Sequence, residues 1–138
     1  MDLDDAYGIK SCFGVVSERR YDVTKEYLDS LRNRGFEISV HDLNHDGYLF
    51  SERKEFLVRA EKINAYGEEF GAFEFRAAVL YRNQQWFDTL KFSYDMSVPN
   101  VCHLEAQRGG CCTVMPYFVG DILVLPVTTT QDYALFIS

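Results

Sequence analysis

The pair His41 and His45, four residues apart in His41-Asp42-Leu43-Asn44-His45-Asp46-Gly47, is the first place where residue type and spacing suggest chemistry. Zinc and similar divalent ions take neutral imidazole nitrogens, and an oxygen ligand commonly completes such a set. Asp42 and Asp46 stand beside the histidines as oxygen ligands, as partners that orient a ring, or as plain turn residues. The competing reading of the pair is two solvated turn histidines. Further along, Arg76 and Asp95 each sit at the end of an apolar, strand-like stretch, and His103 and Glu105 lie in a long polar segment.

Local patterning says what must position these groups. Phe36, Ile38 and Val40 alternate with Glu37 and Ser39, which is strand periodicity, and the strand runs straight into the histidine turn. Ile9 to Val16 reads as a short buried strand after a helix end near Leu3 to Tyr7, with Gly8 as the stop. A helix follows, capped by Asp22 or Thr24 and ended by Gly35. Ser51 is expected to cap another, with Phe56, Leu57, Ala60 and Ile63 on one stripe, closing near Gly67. Ala72–Arg76 is a third strand. Asn83 caps a short helix with Trp86, Phe87 and Leu90, and Phe92–Ser97 is a fourth strand stopped by Pro99. Residues 98–112 form a long loop, and Tyr117 to Leu125 reads as a hairpin turning at Gly120-Asp121 or as one interrupted strand.

Such alternation of strand and helix implies parallel crossovers with helices outside the sheet. The expected fold is α/β: a partial, distorted (β/α) barrel, one domain over 1–138. In a barrel the strand C-termini converge on one face, so His41, His45, Arg76 and Asp95 are expected to point at one site.

Composition narrows the classes. The chain has 138 residues, 47% of them hydrophobic, with 11 Phe and 9 Tyr, enough for one domain with a core. A net charge of −7 without a basic cluster argues against nucleic acid and against anionic membranes as partners. No apolar run reaches membrane-spanning length, and the acidic start does not read as a signal peptide. Cys12, Cys102, Cys111 and Cys112 lack the spacing of a disulfide framework or a zinc knuckle, which fits reduced thiols and a cytoplasmic setting.

Several stretches, in order, resemble the polysaccharide deacetylase family. Tyr7-Gly8-Ile9-Lys10-Ser11-Cys12-Phe13 resembles the approach to that family's K-A-T-F-F-like strand. Gly35-Phe36-Glu37-Ile38 with His41 and His45 resembles its G-H-E-I…H-x-x-x-H segment, and Phe75-Arg76-Ala77-Ala78 its F-R-x-P motif. Tyr94-Asp95 sits where the family has an Asp-bearing strand along the groove. The resemblance spans roughly residues 3 to 97 and implies a distorted (β/α) barrel.

By that resemblance His41 and His45 are metal ligands, with zinc foremost and cobalt or nickel as alternatives. Arg76 fixes a carboxylate, and Asp95 steers the substrate or Arg76. The implied function is metal-dependent hydrolysis of acetyl groups from N- or O-acetylated saccharides. The family's T-F-D-D strand, source of its base and third ligand, and its final leucine-x-histidine strand have no counterpart here. The chain is therefore expected to be incomplete at both ends. Asp4 and Asp5 read as surface residues. Two other readings stand beside the hydrolase: a non-catalytic relative that binds a glycan or metal, and a structural fragment forming a homo-oligomer through unpaired sheet edges.

Overall fold

The computed structural model of the chain describes residues 2–19, 22–100 and 113–129. His103, Glu105, Cys102, Cys111, Cys112 and most of the expected 98–112 loop lie outside the described residues.

Helix α1 (Asp2–Ala6) leads into strand β1 (Cys12–Val15), and α2 (Lys25–Asn33) follows. Thr24 caps α2, its Oγ1 accepting the Tyr27 N–H at 3.2 Å. Gly35 takes the left-handed φ of 81° that ends the helix, because an L side chain there would meet backbone clash. Strand β2 (Glu37–His41) comes next, then α3 (Arg53–Phe70). Helix α3 starts after Glu52, not Ser51, and has no side-chain cap bond.

It also runs past Gly67 to Phe70, where Gly71 closes it at φ 56°. Gly67 is a packing residue and not a stop. A Cβ there would lie 2.8 Å from two atoms of the Phe92 ring, so the missing side chain lets that ring pack on the helix backbone.

Strand β3 (Glu74–Arg76) is followed by 3-10 helices at Ala78–Leu80 and Gln84–Thr89, the second being the expected short helix, with Asn83 Oδ1 accepting the Gln85 N–H at 3.1 Å as its cap. Strands β4 (Tyr94–Asp95), β5 (Tyr117–Val119) and β6 (Ile122–Val124) complete one sheet in the order β1-β2-β3-β4-β6-β5. All neighbours are parallel except the β5–β6 hairpin. The expected α/β class with a mainly parallel sheet is observed; among the described residues the sheet is open, with β1 and β5 at its edges.

The two faces differ in chemistry. On one, Val15, Ile38, Val40, Phe75, Ile122 and Val124 are buried with Leu28 and Leu31 of α2 and Phe56, Ala60 and Ile63 of α3. These helix positions recur every three or four residues, the spacing of a buried stripe. Period-2 alternation turns the intervening residues to the other face: Cys12, Gly14, Ser39, His41, Glu74 and Arg76. No described helix is long and apolar enough to cross a membrane.

Candidate active site

Register brings two of the expected site residues together. His41 ends β2 and Arg76 ends β3, and they are direct register partners, so their side chains share a face. His41 Nδ1 lies 3.1 Å from the Arg76 carbonyl oxygen. A carbonyl can only accept, so Nδ1 carries the proton and Nε2 keeps its lone pair. Burial holds His41 below its usual pKa, against the opposing pull of the Arg76 carbonyl. Both effects of the site on this ring, tautomer and neutrality, suit a metal ligand.

His45 reaches His41 because the chain winds back on itself. Asp42 (φ 60°), His45 (φ 54°) and Gly47 (φ 75°) all take left-handed backbone within six residues, a conformation that Asp and His tolerate better than most side chains. The two rings meet edge to face with centroids 4.7 Å apart. Two imidazoles that bind one zinc ion at about 2.0–2.1 Å hold their ring centres roughly 5 Å apart, a separation this pair matches. Among the described residues no group of three or more His, Cys, Asp or Glu side chains is arranged to hold a metal.

Gly14 makes room for the arrangement. A Cβ on Gly14 would approach His41 Cβ to 3.1 Å and Ser39 Oγ to 3.4 Å.

The two aspartates of the turn take different places. Asp42 is fully buried. Its Oδ1 accepts the Leu43 N–H at 2.6 Å, its Oδ2 has no hydrogen-bond partner, and burial raises its pKa. Asp46 faces outward into the guanidinium of Arg59, whose Nη1 lies 2.9 and 2.8 Å from its two oxygens. Burial would raise the Asp46 pKa, but the Tyr48 N–H and Arg59 outweigh it and hold the carboxylate below its ordinary range. Arg59 also binds Glu55 at 3.0 Å, which ties the turn to the first part of α3.

Asp95 does not join the histidines. Its register partner is Phe75, so it points to the helix-covered face. There its carboxylate accepts the Ser97 N–H at 3.0 Å and the Ser97 hydroxyl at 2.5 Å. Ser97 Oγ in turn accepts the Ala77 N–H at 2.7 Å. This chain of bonds fastens the segment after β4 to the end of β3. Burial pushes the Asp95 carboxyl up to about 6, opposed by the Ser97 donors.

Two cavities meet at His41. The outer one, about 810 Å³, is lined by Val16, Glu18, Arg19, His41, Asn44, His45 and Asp46. The inner one, about 350 Å³, lies on the polar face of the sheet against Cys12, Ser39, Glu74, Arg76 and Met96. Glu74 was not singled out by sequence reasoning. Only 3% exposed, it accepts the Cys12 thiol proton at 2.7 Å across the intervening strand. Burial raises its pKa against the Cys12 donor and the Arg76 charge. Burial and Glu74 push the Cys12 thiol up to about 12, so it remains protonated and acts as a donor. The available signal was the sequence Phe73-Glu74-Phe75 next to Arg76: a carboxylate inside an apolar strand, two residues before a site arginine.

No family model matches the chain, and no curated protein matches it. Among solved structures, the crystal structure of a candidate polysaccharide deacetylase from Mycobacterium smegmatis is similar, with a TM-score of 0.63 and 20% sequence identity. The match covers 92% of this chain and 43% of that one, so this chain spans less than half the length of its structural neighbour. At this identity the likeness is one of fold: a mainly parallel α/β sheet.

Proposed function

We propose that the chain is a metal-dependent hydrolase of the carbohydrate deacetylase type, removing acetyl groups from N- or O-acetylated saccharides. The observation that carries the reading is the edge-to-face pair of His41 and His45, with His41 Nε2 left free by the Nδ1 contact to Arg76. The fold likeness to the mycobacterial protein supports it. His41 and His45 would hold the ion, with zinc foremost and cobalt or nickel in its place. When bound, it supplies Lewis acidity toward an acetyl carbonyl and acidifies a water.

The chain's own residues provide the rest. Glu18, Arg19, Asn44 and Asp46 give the outer cavity hydrogen-bonding groups suited to sugar hydroxyls. Arg76 presents its charge to the inner cavity, where it stabilises an anionic group. The test is acetate release from an N-acetylated chito-oligosaccharide and from an O-acetylated xylo-oligosaccharide by the zinc-loaded chain. Release that disappears in the His41→Ala, His45→Ala double variant is expected. No release from either compound by the wild type would overturn the reading.

A further inference from the structure

We propose that Glu74 is a catalytic carboxyl of this site, carrying the proton to the departing nitrogen, and that it thereby directs the enzyme to N-acetyl groups. The inference rests on the deacetylase reading above and adds a residue and a substrate preference to it.

The carboxyls near the histidines are held in different ways. Asp42 is sealed in the turn with one oxygen on its own neighbour's N–H. Asp46 is clamped by Arg59, Glu18 is paired with Lys62 at 3.0 Å, and Asp95 faces the helices in the grip of Ser97. Glu74 differs from all four. Its register partner is Ser39, one pleat below the His41–Arg76 pair on the same face, and it lines the inner cavity together with His41 and Arg76.

Its surroundings suit proton transfer. The Cys12 thiol donates to one oxygen and Ser39 also hydrogen-bonds the carboxyl; together they fix the side chain at the wall of the inner cavity. Burial favours the neutral form, against the Cys12 donor and the Arg76 charge, and a raised carboxyl is the kind of group that can carry a proton to a leaving nitrogen.

Hydrolysis of an amide requires such a group more than hydrolysis of an ester, because an amine leaves only once it is protonated. The water oxygen bonds to the acyl carbon and the carbon–nitrogen bond breaks. The water's proton passes by way of Glu74 to the departing nitrogen, giving acetic acid and a free amine with Glu74 restored. An alkoxide leaving from an O-acetyl group needs this proton less.

Glu74→Gln keeps the shape and removes the proton carrier. It is expected to lower kcat for the N-acetylated chito-oligosaccharide by about a hundredfold or more, with KM little changed, and to lower hydrolysis of the O-acetylated xylo-oligosaccharide by a clearly smaller factor. A second readout uses the wild type alone: carbon-13 NMR of the Glu74 carboxyl carbon, which shifts on addition of a short glucosamine oligosaccharide. That readout decides the matter if the variant does not fold. N-deacetylation unaffected in the variant, or no shift of the Glu74 carbon, overturns the inference while the deacetylase reading stands. Hydrolysis of neither compound by the wild type overturns both.

Discussion

His41 Nδ1 lies 3.1 Å from the carbonyl oxygen of Arg76, its register partner on the neighbouring strand. The sheet itself therefore orients the imidazole, through a backbone group that no side-chain substitution removes. The second histidine depends on something softer, the left-handed turn between β2 and α3.

Asp46 and Arg59 brace the residue next to His45 by a two-pronged ion pair. Asp46→Asn weakens it and frees the turn. Zinc affinity, measured by competition with a chelating dye, is expected to fall about ten- to a hundredfold, as for other residues that hold a ligand in place. Arg59→Lys keeps the charge but loses the Nε bond to Glu55 that holds the guanidinium in place, and lies in between. Unchanged affinity in both would show that the turn holds His45 without them.

Ser97 links Asp95 to the Ala77 N–H. Ser97→Ala leaves a buried donor without its acceptor, at a cost of about 1–3 kcal/mol in urea unfolding. Loss of stability well under that range would mean that water replaces the hydroxyl.

The Asp95 carboxyl, raised to about 6 in the fold, titrates near 3.9 in an unfolded chain. Between those values the unfolded chain gives up a proton that the native chain keeps, so stability falls as pH rises through this window. Below it and above it Asp95 adds no slope. The fall amounts to at most roughly 3 kcal/mol. Carboxylates held low, such as Asp46, act in the opposite sense at lower pH, so the informative quantity is the difference between the wild type and Asp95→Asn. That difference is expected to change between about pH 4 and 6 and to be flat above. A flat difference throughout would contradict the assignment.

Gly67→Ala gains up to about 1 kcal/mol of helix propensity but drives a Cβ into the Phe92 ring, an overpacking that costs about 1–3 kcal/mol. A lower Tm is expected. Combined with Phe92→Leu, the loss should be smaller than the sum of the two single changes. A higher Tm for Gly67→Ala would show that the ring moves aside freely.

The sequence made the order of strands and helices legible because β1 and β2 are short, apolar and followed by a helical stripe. It also placed the two histidines together, His41 at the end of β2 and His45 in the turn after it. It could not show which face Asp95 takes: β4 has only two residues, so no alternation fixes its direction, and the neighbouring Phe75 decides it. Gly67 read as a helix stop because its partner, the Phe92 ring, is 25 residues away and invisible to local pattern. Glu74 went unnoticed for the same reason. Its significance comes from Cys12, Ser39 and His41 on two other strands, and only register brings them together.

The central claim is that His41 and His45 hold a divalent ion. The most direct measurement is elemental analysis of the purified chain after zinc loading and dialysis, alongside the His41→Ala, His45→Ala double variant. Close to one zinc per wild-type chain and none in the variant is the expected result. A wild type that retains no zinc, or a variant that retains as much, would contradict it.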